Sequence, residues 1–128
     1  MKARKKQILV VDDEPAWLRS MAAELRKVGY QVKEAQSASQ ALALLAKYHP
    51  DLIVSDLRMP DMNGFDLLDK IRQSPSTSST PVVFFSAIDD FHANKVAREL
   101  GATACLLKPY DKQDFVTIIK QYLPRQSK

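Results

Sequence analysis

Short stretches in which almost every residue is apolar alternate along this chain with longer stretches in which apolar residues return every third or fourth position. The short ones are ILVV from Ile8, LIV from Leu52, VVFF from Val82 and ACLL from Ala104, while a fifth, YQVKEA from Tyr30, alternates apolar and polar residues. Unbroken runs rich in branched side chains predict strands covered on both faces, and the alternating run predicts an edge strand.

The intervening stretches carry the helical period. Leu18, Met21, Ala22, Leu25 and Val28 follow the i, i+3, i+4, i+7 rule, and so do Phe115, Ile118, Ile119 and Tyr122. An Ala/Leu-rich stretch from Ser39 to Tyr48 predicts a second helix with a Ser cap, and Phe65 to Arg72 and Asp90 to Leu100 predict two shorter ones. Pro15 stands near a helix start, where its missing N–H costs least. Gly29 and Gly101 each follow a helical stretch, where a left-handed residue closes the last turn.

The order is therefore (βα)5. Strands alternating with helices pair in parallel through right-handed crossovers, which predicts one open sheet with helices on both faces. All strands then end at one rim, and ligands of such sheets bind beyond those ends, where the strand order reverses. The residues that follow the apolar runs are Asp12, Asp13 and Glu14, then Asp56, then Ser86, then Lys108. Each alone has an ordinary structural explanation as a cap, a turn former or a solvated charge. Four distant segments delivering acid, acid, hydroxyl and amine to one rim are not explained that way.

Composition trims the alternatives. The 128 residues, 45% of them hydrophobic, suit one domain with its own core. The formal charge of +4 arises in the tails, which hold Lys2, Arg4, Lys5, Lys6, Arg125 and Lys128; the remaining thirteen basic residues face fifteen acidic ones. The basic balance thus describes solvated ends, and direct nucleic-acid binding is not expected. The single cysteine excludes an internal disulfide and fits a reducing cytoplasm. The apolar run from Ile8 to Val11 is too short for a signal peptide or a membrane span.

Three carboxylates beside a low-dielectric core repel one another and call for a compensating cation. A site of few oxygen ligands, with positions left for water and phosphate, suits Mg²⁺ better than Ca²⁺. His49, His92 and Cys105 are not placed for zinc. With the metal, Lys108 and Ser86 beside it, a carboxylate is set to accept a phosphoryl group, a reaction that needs mainly positioning and charge neutralisation. Asp56, alone on the middle run, is the expected acceptor.

The stretches VVDDEP, LIVSDLRMPDMNG, FFSA and LLKPY, in this order and spacing, resemble the receiver domains of two-component response regulators. The resemblance covers roughly Gln7 to Tyr122 and implies a flavodoxin-like three-layer α/β sandwich with strand order 2-1-3-4-5. It gives a domain over residues 7–123 with a basic tail over 1–6 and a tail or linker over 124–128. Asp56 would accept the phosphoryl group from a sensor histidine kinase or a histidine phosphotransfer protein. Asp13, Asp56 and the backbone carbonyl of Arg58 would bind Mg²⁺, with Asp12 acting through water. Lys108 would contact the phosphate, followed by a cis bond to Pro109; Ser86 would move toward it, and small Ala87 would leave room. Met59, Pro60 and Gly64 would shape the loop. The output would leave through the face of helix 4, strand 5 and helix 5, and the chain would be no enzyme beyond its own phosphorylation and slow dephosphorylation.

Two departures stand out from the family pattern. Cys105 occupies the position where an aromatic commonly reports the switch hydroxyl, so a packed residue without redox duty is expected there. Arg58 and Ile88, beside the phosphate, offer no carboxylate or amide to orient water, which predicts slow self-hydrolysis. Two other classes compete. An aspartate-nucleophile phosphohydrolase would place its nucleophile in a D-x-D after the first strand, where this chain has adjacent acids. A protein-binding pseudo-receiver that is never phosphorylated would not need the complete polar set. No G-x-G-x-x-G or G-x-x-x-x-G-K supports nucleotide binding.

Overall fold

Successive residues of a strand point to opposite faces of a sheet, and here both faces are apolar. The computed structural model describes residues 5–57, 59, 61–86, 91–107 and 112–123. Its elements run β1 (Gln7–Val11), α1 (Pro15–Lys27), β2 (Gln31–Ala35), α2 (Ala38–Leu45), β3 (Leu52–Asp56), α3 (Gly64–Gln73), β4 (Val82–Ser86), α4 (Phe91–Glu99), β5 (Ala104–Leu107) and α5 (Lys112–Tyr122). The five strands form one parallel sheet in the order β2-β1-β3-β4-β5.

Strand alternation splits the core in two. Leu9, Val11, Ile53, Val82, Phe84 and Cys105 pack with Ala41 and Leu45 of α2, Leu67, Leu68 and Ile71 of α3 and Ala97 of α4. Ile8, Val10, Leu52, Val54, Val83, Phe85 and Ala104 pack with Leu18, Met21 and Leu25 of α1 and Phe115 and Ile119 of α5. Two helices on one side and three on the other complete the three layers. The alternating strand is β2, at one edge, as its pattern predicts.

Local signals set most helix ends. Pro15 opens α1 behind Glu14, and Gly29 and Gly101 have φ of 100° and 104°. After α1, Tyr30 N–H donates to Leu25 O at 3.2 Å and Gly29 N–H to Arg26 O at 3.0 Å; after α4, Ala102 and Gly101 repeat the pair toward Ala97 and Arg98. This paired return of N–H groups needs a left-handed residue, hence glycine.

Two expectations shift. Val28 does not extend the apolar stripe of α1: it is the C-cap, and it is exposed. The second helix starts at Ala38 rather than Ser39 and stops at Leu45, well before Tyr48. Ser37 is its cap, extended in backbone and accepting from Gln40 N–H at 3.1 Å. At the far end Lys47 N–H donates to Leu44 O at 3.1 Å, three residues back rather than four, which tightens and closes the last turn, and Pro50 then disfavours helical geometry for His49.

Candidate functional site

The register of the sheet brings the polar residues to one rim. Asp12 directly follows β1, and its N–H extends the ladder by donating to Ala35 O of β2 at 3.0 Å. Val11 pairs with Ser55, so the residues after them, Asp12 and Asp56, stand side by side. Asp56 pairs with Phe85, and Ser86 with Leu107, the last residue of β5. The order reverses at β1, between β2 and β3, and the acids sit at the carboxyl ends of β1 and β3, where open α/β sheets bind ligands.

Asp12 is fully buried, Asp56 half-buried and Asp13 exposed, and one carboxylate oxygen from each lies within 4.8 Å of the others. Asp12 is held in place by Glu14 N–H, which donates to its Oδ1 at 2.9 Å. Adjacent ligands of a magnesium ion stand about 3 Å apart and opposite ones about 4 Å, given metal–oxygen distances of about 2.1 Å. Three oxygens this close together could serve one such ion. Among the described residues the cluster contains no His or Cys, so its donors are hard oxygens only. Glu14 is not part of it; its backbone carbonyl instead accepts Leu18 N–H at 3.0 Å at the start of α1. Ser86 is buried at the end of β4.

The loop after Asp56 is fixed at several points. Leu57 N–H donates to Phe85 O at 3.1 Å, and Leu57 O accepts from Gly64 N–H at 2.8 Å, closing the loop at its base. Met59 is buried in the core. Asn63 caps α3, accepting from Asp66 N–H at 2.9 Å. A Cβ on Gly64 would meet Phe84 Cε1 at 2.9 Å and Leu57 O at 3.0 Å, so any side chain there would force the ring or the loop to shift. The loop-shaping role expected of Gly64 and Met59 thus has a geometric basis. Arg58, Pro60, Ala87, Ile88, Lys108 and Pro109 lie outside the described residues.

The model of the response regulator receiver domain matches residues 8–120. This chain belongs to that family. The receiver is 31% identical over 125 residues to a protein of Porphyridium aerugineum named "Probable transcriptional regulator ycf27", covering 98% of this chain and 51% of that one. It is 33% identical over 120 residues to the transcriptional regulatory protein KdpE of Mycobacterium tuberculosis, covering 94% and 52%. The chain therefore spans about half the length of these relatives. Its fold superposes on the chemotaxis response regulator CheY4 of Vibrio cholerae with a TM-score of 0.88 at 27% identity, covering 94% of this chain and all of that one. The α/β sandwich and strand order implied by the motifs are those of the receiver fold.

Other residues of the receiver separate into site and support. Cys105 is buried beside Phe84, its register partner, in the core shared with α2, α3 and α4. Trp17 meets Phe115 of α5 edge-on, with ring centroids 6.5 Å apart, which makes it part of the α1–α5 packing. No helix among the described residues is long and apolar enough to cross a membrane. Sequence reasoning missed Asp61, whose carboxylate accepts from Ser39 Oγ at 2.8 Å, Ser39 N–H at 3.0 Å and Ala38 N–H at 3.4 Å. Those bonds hold the Asp61 carboxyl below its ordinary range, the Ser39 hydroxyl contributing most. The contact spans more than twenty residues, so no local pattern announces it.

Proposed function

We propose that this receiver accepts a phosphoryl group on Asp56 from a phosphohistidine of a sensor histidine kinase or a phosphotransfer protein. The observation that carries the reading is the meeting of Asp12, Asp13 and Asp56 oxygens within 4.8 Å at the reversal of strand order. An oxygen of Asp56 attacks phosphorus, the P–N bond breaks, and its electron pair returns to the imidazole, which leaves neutral when its other nitrogen carries a proton. Asp13, Asp56 and the Arg58 carbonyl would hold Mg²⁺ directly and Asp12 through water. That ion supplies neutralising charge for the phosphoryl oxygens.

Lys108, next in sequence after β5, would supply a further cation for the phosphoryl group, and Ser86 a hydroxyl. Phosphorylation then biases two packings of the face formed by α4, β5 and α5, and a partner protein or attached domain reads the result. Leu100, just past α4, and Leu107 of β5 are exposed large apolar residues consistent with such a surface. On this reading the chain works in the cytoplasm and turns over no substrate beyond its own acyl phosphate. Arg58 and Ile88 offer no carboxylate or amide to orient an attacking water, so slow self-hydrolysis is expected, and loss of the phosphate within seconds without a phosphatase would refute this part.

Incubation with Mg²⁺ and acetyl phosphate, followed by intact-mass measurement, tests the proposal. One phosphoryl group is gained by the wild type and none by Asp56→Asn. Continuous phosphate release would instead indicate a phosphohydrolase, and no mass change a pseudo-receiver.

A further inference from the structure

The first turn of α2 contains no acidic residue, so nothing within that helix answers the partial positive charge of its N-terminus. Asp61 answers it from across the molecule. Both of its carboxylate oxygens are used, one on Ala38 N–H and the other on the N–H and hydroxyl of Ser39. Ser37 separately takes Gln40 N–H, so α2 has a local cap and a remote one.

Asp61 also lies midway along the loop that joins Asp56 to α3. The loop is pinned at its base by the Leu57–Gly64 hydrogen bond, on one side by buried Met59 and at its exit by the Asn63 cap. The outer arc is tied further by Met62, which packs against the same core, and by the Asp61 carboxylate, the polar link to α2. Resting on the phosphoryl-acceptor reading above, we propose that Asp61 is a positioning residue: its grip on the α2 N-terminus holds the loop that follows Asp56, and the loop so held favours Mg²⁺ binding at the acidic cluster. A group that orients a ligand-bearing segment affects metal affinity without touching the metal.

The test measures Mg²⁺ affinity by calorimetry, which needs no phosphorylation, and hydrogen exchange at the Gly64 amide, which reports loop closure. Asp61→Ala is expected to weaken Mg²⁺ binding about tenfold and to speed Gly64 exchange, while Asp61→Asn, which keeps an acceptor oxygen, stays within about threefold of wild type. Ser37→Ala weakens the same helix end through its local cap and is expected to leave both readings near wild type. Unchanged Mg²⁺ affinity in Asp61→Ala would overturn the inference. So would an Asp61→Asn as weak as Asp61→Ala, because charge rather than grip would then be responsible, or a Ser37→Ala as weak, because helix stability would be. A wild-type protein that binds no Mg²⁺ removes the phosphoryl-acceptor reading itself, a result distinct from these.

Discussion

Arg72, in the last turn of α3, donates from both Nε and Nη2 to the carbonyl oxygen of Gly101, at 3.2 and 3.0 Å, where α4 turns into β5. Its Nη1 reaches Thr80 O at 2.7 Å and Thr77 O at 3.0 Å in the connector before β4. One guanidinium thus ties three chain segments, and loss of hydration on burial pulls its pKa below the usual arginine value. The Ser/Thr/Pro-rich connector is accordingly knit into the fold, with Thr77 buried and its hydroxyl donating to Ile71 O.

Removing this tie should be costly. Arg72→Ala is expected to lower stability by about 1–3 kcal/mol, because three carbonyls lose a charged donor at once. Arg72→Lys should recover less than half of that, since an ammonium lacks the planar fork needed to serve several acceptors. Urea denaturation checks both, and a Lys variant equal to wild type would contradict the role of the fork.

Gly64→Ala places a methyl against a ring carbon and a backbone oxygen that already accepts from the same residue. The expected loss is about 1–3 kcal/mol, as for other overpacked sites. Combined with Phe84→Leu, the two changes should cost less than their sum, because the smaller side chain removes part of the clash. A strictly additive pair in the same denaturation experiment would place the strain elsewhere.

Cys105→Ser puts a hydroxyl into an apolar cluster and should cost about 1–3 kcal/mol. Phosphorylation from acetyl phosphate should be unaffected, since Cys105 is a packing residue of the sheet. A fall of about tenfold in rate, equivalent to about 1.4 kcal/mol in the barrier, would give the thiol a part in the chemistry.

The Tyr48 hydroxyl is buried without a hydrogen-bond partner among the described residues, and the Lys33 ammonium sits 5.2 Å from the ring centroid. Burial, and after it the charge of Asp51, pushes its pKa up to about 12 from 10.0. The neutral phenol is favoured in the folded state, so its contribution is complete below pH 10.0 and is lost as pH rises toward about 12. Tyr48→Phe should match or slightly exceed wild-type stability at pH 7 and should lose less between those two pH values. Thermal melts across the alkaline range decide it, and marked destabilisation at pH 7 would mean that the hydroxyl has a partner.

The sequence by itself settled what depends on short-range order. Continuous apolar runs made strands, the 3.6-residue period made helices, and Gly29, Gly101 and Pro15 marked helix ends, because turns and caps are closed by residues a few positions apart. From strands in parallel it followed that Asp12, Asp13 and Asp56 meet at one rim, and they do. The tertiary structure decided the contacts that no period encodes. Asp61 supplies α2 with a second cap from the acceptor loop, and Arg72 joins α3 to the turn after α4. Gly64 is favoured at the start of α3 by the Phe84 ring of β4. Such pairings depend on how packed elements bring distant residues together, and only the assembled core fixes that distance and angle.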